Sequence, residues 1–411
     1  MYQSIIQIIL IISFVLAPSW VSFPAPALAL TEEQQILREA WSIVNRAYID
    51  DSFNHQNWWF ARKKALRQPL KNREETYTAI ESLLSSLDDP FTRLMRPEQY
   101  HSLQMSTAGE LTGVGLQIAL DPDGHLTVIA PLDGSPAAVA GIVPRDRILK
   151  IDGVSTDELT LDEAAGRMRG PLGTTVILTV LHAEEGAVED LQLIRDRISL
   201  NPVVADLRSS PGQIPIGYIR LSQFSANAPE EVADAMIQLQ QQGAEGYILD
   251  LRNNPGGLLQ AGVEIAQEWI QDGTIVYTVN RQGFLGSFEA AGSALTEAPL
   301  VVLVNGGTAS ASEILAGALQ DNERAVLVGE KTFGKGLIQS LFDLSDGAGL
   351  AVTVAKYETP AHHDINKLGI QPDYVIPAQT LRLTQVGTTA DPQYQKAVEL
   401  LNSQSILAHA S

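Results

Sequence analysis

Apolar residues recur through Glu32–Tyr48 (EEQQILREAWSIVNRAY) at Ile36, Leu37, Ala40, Trp41, Val44 and Tyr48, the spacing of one helix face. The same period returns in Tyr77–Met95 (YTAIESLLSSLDDPFTRLM). It stops at Asp88-Asp89-Pro90, because proline disfavours helix at the residue before it. Trp58 and Trp59 lie between these helices, and two aromatics in such a place are assigned to the core. From about Glu110 to about Arg195 the pattern shortens to alternating runs broken by glycine turns. An Ala-rich helix follows Ser135-Pro136, and another helix covers Leu159–Gly170. From about Pro202 to Pro377 it changes again. Continuous apolar runs (IGYIRLSQF, GYILDL, PLVVLVN, AVLVGE) alternate with helical ones (APEEVADAMIQLQQQG, LLQAGVEIAQEWI, ASASEILAGALQD), and two strand-like runs follow, GLIQSLFDL and GLAVTVAKYETP. Continuous apolar runs mean strands covered on both faces. The prediction is an α/β fold of stacked strand-helix units, preceded by a small helical region and a β-rich module.

The N-terminus stands apart from this pattern. Ile5–Ala17 (IIQIILIISFVLA) is short for a membrane span, and Ala27-Leu28-Ala29 fits the small-x-small rule for signal cleavage. Cleavage after Ala29 is expected, although MYQS offers only the α-amino group as positive charge, which leaves an uncleaved anchor as the alternative. The chain has 411 residues, 45% of them hydrophobic, enough for two or three domains. A net charge of -20 disfavours nucleic acid and any general affinity for anionic membranes. Cysteine is absent, so disulfides, thiolate metal sites and a cysteine nucleophile are excluded.

Covalent chemistry must then come from other side chains. In VNGGTASASEILAG, Leu300–Val304 reads as a buried strand, Gly306-Gly307 as a tight turn, and a helix starts near Ala309. That places Ser310 at a strand-to-helix turn, where orphan backbone N–H groups can serve an oxyanion. Taken alone, a serine there is more readily a helix cap. A base changes the balance. The seven histidines are scattered and Ser-x-x-Lys is missing, so neither a Ser-His-Asp triad nor a β-lactamase-like pair is supported. Lys335, between Gly334 and Gly336 in GEKTFGKGLIQSL, is the better base. Gln339, four residues on, would share its face in a strand. A lysine base must be neutral, which requires burial to lower its value from about 10.4 to roughly 7–8. In the β-rich module, Gly113, Val114, Gly115 and Leu116 form a turn whose N–H groups can converge on a carboxylate. His362-His363-Asp364 is read as a solvated loop rather than a metal site.

The segments GVGLQI and SPAAVAGIVPRDRILKIDG together resemble a PDZ domain, which adds a peptide as a strand and holds its C-terminal carboxylate. TASASE, with TFGKG 25 residues on, resembles the C-terminal processing (tail-specific) serine endopeptidases, and the likeness runs over nearly the whole mature chain. The resemblance implies Ser310 as nucleophile, Lys335 as general base and Gln339 as its support. It also implies oxyanion donors at the N–H groups of Gly256 and Ala311. A crotonase/ClpP-like stacked core is implied, with no metal and no cofactor. DDSFNHQNWW and SLDDPFTR are similar to the cyanobacterial and plastid branch that processes the D1 precursor of photosystem II. That branch implies an exported enzyme of the thylakoid lumen or periplasm, transiently near the membrane, acting on a membrane-embedded protein with a free C-terminus.

The expected organisation is a signal peptide (1–29), a helical region (30–105), a PDZ domain (106–198), a Ser/Lys protease core (199–378) and a C-terminal segment (379–411) packing on the core or the helical region. Arg169 is a candidate link between the PDZ domain and the core, with a solvated surface arginine as the plain alternative. Two other function classes remain at this stage, a non-catalytic C-terminus-binding protein and a crotonase-like acyl-CoA enzyme.

Overall fold

The structure is a computed structural model that describes residues 30–403 apart from 122, 133, 184–185, 210–211, 380 and 382–384. The signal segment and the end of the C-terminal segment lie outside the described residues.

Three helices open the described chain: α1 (Glu32–Ala47), α2 (Trp58–Leu66) and α3 (Arg73–Ser85). Each begins on a side chain that takes an orphan amide: Thr31 accepts from Gln34 N–H, Asn57 from Phe60 N–H and Asn72 from Glu75 N–H. Their apolar faces bury Ile36, Leu37, Val44, Ile80 and Leu84. The two tryptophans separate here. A helix turns about 100° per residue, so Trp58 enters the core at 2% exposure while its neighbour Trp59 stands out at 63%. The assignment of both to the core is corrected for Trp59.

After β1 (Arg93–Met95) and α4 (Pro97–Thr107), β2 (Glu110–Gly113) leads into the module resembling a PDZ domain. Its sheet contains β3 (Leu116–Leu120), β4 (Leu126–Pro131), β5 (Arg147–Ile151), β7 (Thr175–Leu181) and β8 (Val188–Ile194) in the order β3-β4-β5-β7-β8, with β6 (Val154–Ser155) on β5. Helices α5 (Pro136–Val139) and α6 (Leu161–Met168) close it over a core of Val128, Ile148, Val176 and Leu178. The chain leaves through β9 (Asp196–Ser199), which pairs antiparallel with β2.

The largest body is layered. A six-stranded sheet has the order β10-β11-β12-β15-β16-β19, from β10 (Val203–Arg208), β11 (Ile216–Leu221), β12 (Gly246–Asp250), β15 (Leu300–Val304), β16 (Val326–Gly329) and β19 (Tyr374–Val375). From β11 to β19 the neighbours are parallel. Every residue of β12 and β15 is buried, as their unbroken apolar runs require. Val302 and Val304 face α7 (Ala228–Gln241), α8 (Leu259–Trp269) and α9 (Ala311–Asp321). Val301 and Leu303 face the opposite way, onto α10 (Pro392–Leu401). A second sheet, β1-β18-β13-β14 with β17 on β18, is built from β13 (Thr274–Asn280), β14 (Gly283–Glu289), β17 (Leu337–Asp343) and β18 (Gly349–Glu358). It packs between α8–α9 and α1. The C-terminal segment therefore lies on the core, where Arg252 joins Asp250 (2.6 Å) and Asp391 (2.8 Å), all three buried.

Candidate active site

The loops that follow β12 and β15 are laced together at the C-terminal ends of the strands. Asn305 Oδ1 accepts the N–H groups of Asn253 (2.9 Å) and Gly307 (3.0 Å), and Thr308 Oγ1 donates to the Leu251 carbonyl (2.9 Å). The Asn254 carbonyl receives Ala309 N–H and the Ser312 hydroxyl, both at 3.0 Å. Ser312 is thereby a buried tether.

Ser310 sits at the apex with φ 59° and ψ −120°, a conformation that L-residues avoid and that only this surrounding framework maintains. Its carbonyl, not its hydroxyl, receives Glu313 N–H (2.8 Å), so the side chain is not spent as a cap. Gly256 stands opposite with φ +94°. A Cβ there would lie 2.6 Å from the Ala309 oxygen and 2.8 Å from Ser310 Cβ, so only glycine lets this loop approach. Ala311 N–H opens helix α9, where no carbonyl one turn earlier can receive it. Gly256 N–H is occupied: it donates to Asn254 Oδ1 at 2.9 Å.

Glu313, fully buried, organises the centre. Its Oε1 accepts Thr332 Oγ1–H (2.6 Å) and Gly334 N–H (2.7 Å), and its Oε2 accepts the N–H groups of Ser310 and Lys335, both at 2.9 Å. One carboxylate oxygen thus holds the backbones of the serine turn and the lysine loop together.

Lys335 extends from that loop to Phe91, its Nζ 5.0 Å from the ring centroid. Burial holds its amine below the usual lysine value, the Arg93 charge adds to this, and Glu313 opposes both. Ser310 meets Tyr357 instead. Burial pushes that phenol well up, Glu313 adds to this, and a hydrogen bond with Ser310 works the other way. Tyr357 also donates to the Lys335 carbonyl. Among the described residues no hydrogen bond joins the Ser310 hydroxyl to the Lys335 amine.

The expected strand face shared by Lys335 and Gln339 is corrected. β17 begins only at Leu337, and its pairing with β18 shifts register between Ile338 and Gln339, which breaks the period-two relation. Gln339 pairs with Thr353, and its buried Nε2 has no partner among the described residues. The glycines flanking Lys335 pack against the segment that contains Asn366 and Lys367. A side chain at Gly334 or Gly336 would strike the backbone of Lys367 or Asn366, not the serine turn.

In the PDZ-like module β3 is an edge strand with α6 alongside, a geometry that can accept one more strand. Gly113 ends β2, Val114 is buried, Gly115 takes φ +74°, and Leu116 starts β3. Arg169 caps α6, is exposed, and would lie 3.6 Å (Cα) from a Cβ on Gly113. His362, far from Ser310 in sequence, stacks on Tyr277 at 4.3 Å and points Nδ1 at Glu358.

Sequence reasoning missed Glu313, Phe91, Arg93, Tyr357 and Asn254. Only Glu313 carried a local signal, its three-residue spacing from Ser310 at a helix start.

The model for peptidase family S41 matches residues 215–376, and a PDZ-domain model matches 127–181. A carboxyl-terminal-processing protease of Synechocystis is 63% identical over 94% of this chain and 90% of its own length. The chain belongs to peptidase family S41. The protease is also 47% identical to carboxyl-terminal-processing peptidase 2, chloroplastic, of Arabidopsis thaliana, over 86% of this chain and 70% of the relative. The solved photosystem II D1 C-terminal processing protease is 39% identical, with a TM-score of 0.58 over 92% of this chain and 99% of that one. The S41 α/β fold with its PDZ domain is thereby shown, and so is serine-type C-terminal processing peptidase activity. The acyl-CoA enzyme and the purely binding protein are set aside.

Proposed function

We propose that the protease removes a C-terminal extension from a membrane-embedded protein, the D1 precursor of photosystem II, on the exported side of a membrane, in the thylakoid lumen or periplasm. Ser310 is the nucleophile, Lys335 the general base and Gln339 the support for its amine. The observation that carries this reading is the Glu313 carboxylate, which holds the backbones of Ser310 and Lys335 on one oxygen. The D1 assignment is supported by the 39% identity to a protease of that description. The exported location is supported by the signal-like N-terminal sequence.

In the reaction, Ser310 Oγ attacks the scissile carbonyl as neutral Lys335 takes its proton. The oxyanion falls to Ala311 N–H, with Gly256 N–H joining once it turns from Asn254 Oδ1. Catalysis requires Lys335 to leave Phe91 and replace Tyr357 at the serine. The tail carboxylate binds the Gly113–Leu116 turn and the chain pairs with β3. Arg169, beside that turn, senses occupancy.

The test uses a peptide bearing the D1 C-terminal extension, as free acid and as amide. The free acid should be cut and the amide cut poorly, and Ser310→Ala should bind the tail without cutting it. Turnover by Ser310→Ala would overturn the mechanism. Equal cutting of acid and amide would remove tail recognition.

A further inference from the structure

From the solvent face of α2 we infer that this helix is a docking site for an anionic lipid bilayer. Between Asp51 and Glu74 the sequence has Arg62, Lys63, Lys64, Arg67, Lys71 and Arg73 and no acidic residue, in a chain of net charge -20. Arg73 is committed to Glu32, Glu33 and Asp346, but the other five form no ion pair among the described residues. The acids next in sequence are engaged: Glu74 binds Arg96 through both oxygens, and Glu75 Oε2 accepts the Lys71 N–H while the Glu75 N–H donates to Asn72 Oδ1 as the α3 cap.

Two large apolar rings stand among these charges, Trp59 at 63% and Phe60 at 61% exposure. Around the helix the order on the outer face is Trp59, Lys63, Arg67, Phe60, Lys64, while Trp58 and Ala65 face inward. Aromatics interleaved with cations suit a bilayer surface, where rings enter the headgroup layer and long cationic side chains reach its anions. A recess of about 440 Å³ lies in this face, lined by Trp59, Arg62, Lys63, Leu66 and Arg67. Arg62 stacks over Trp41 (4.8 Å) and Trp59 (5.6 Å), and its buried Nε has no partner among the described residues. Among the described residues no helix is long and apolar enough to cross a membrane, and α2 has nine residues, so the mode is surface docking.

The general repulsion expected from the net charge is therefore reversed locally on this face. The proposal is independent of the D1 reading, because lipid vesicles contain no substrate.

The experiment is sedimentation of the chain from Leu30 onward, which holds every described element, with phosphatidylcholine vesicles with and without phosphatidylglycerol. Binding should require phosphatidylglycerol and weaken as salt is raised. Lys63→Gln/Lys64→Gln should lower partitioning about 25-fold, at about fivefold per charge. Phe60→Ser should lower it about tenfold or more. Both variants should cut a soluble tail peptide at the parent rate, which also reports correct folding. Binding to neutral vesicles as strong as to anionic ones, no vesicle binding, or unchanged partitioning of both variants would each overturn the proposal. So would light scattering that shows α2 buried in a dimer dispersed by Phe60→Ser.

Discussion

Replacing Glu313 by glutamine tests the clamp that holds the catalytic loops. The substitution keeps shape but turns one acceptor into a donor, and all four partners of the carboxylate are donors. An NH2 toward Ser310 and Lys335 would face two backbone N–H groups at once. The cheaper placement puts it toward Thr332, whose hydroxyl can turn to accept, and orphans only Gly334 N–H. One buried orphan costs about 1–3 kcal/mol, and the surviving bonds lose their charge assistance, so the local loss is about 3–5 kcal/mol. At about 1.4 kcal/mol per decade, amide exchange at Gly334 and Lys335 should accelerate about a hundredfold or more. The assay is site-resolved hydrogen exchange beside peptide turnover. kcat should fall at least about tenfold, because nucleophile and base lose their common anchor, while KM for a tail peptide changes little. Unaltered exchange at both amides with kcat within about twofold would refute the clamp.

Three further outcomes follow from other groups. Lys335 is held below the usual lysine value by burial and Arg93, so activity should rise as pH rises through that depressed value and vanish in acid; Lys335→Arg should be inactive throughout, and a flat rate profile with chemistry limiting would contradict a lysine base. Gly256→Ala should abolish turnover while leaving tail binding intact, since its Cβ would meet Ala309 O and Ser310 Cβ; an active variant would show that this loop is free to move. Glu268 is pushed up by burial, then by Glu264, from 4.5 to about 9, so the folded state keeps a proton that the unfolded state releases, and stability declines as pH rises between those values. Glu268→Gln should therefore raise the melting temperature by a few degrees at pH 7, an advantage that disappears near pH 4.5; equal shifts at both pH values would refute the assignment.

How much was legible depended on whether a residue's role is local. β12 and β15 were readable because burial on both faces demands unbroken apolar runs, and Ser310 because a strand, two glycines and a helix start adjoin it. Gln339 was misplaced because a bulge, which leaves no mark in the residue pattern, changed which face it occupies. Phe91 and Arg93 were unreadable as neighbours of Lys335, since a fold that pairs β1 with β18 is needed to bring them there. Tryptophan type alone could not separate Trp58 from Trp59; only the rotation of α2 does.

The chain enters and leaves the PDZ domain through β2 and β9, which run side by side in opposite directions with Glu110 against Ser199 and Gly113 against Asp196. Two crossings so close together act as a single strap. The protease core therefore senses the inserted domain as a detour between two neighbouring residues, and swapping in another tail-reading module asks only that its ends lie one strand spacing apart. The same strap ties both ends of the domain to one place on the chain that leads into the core.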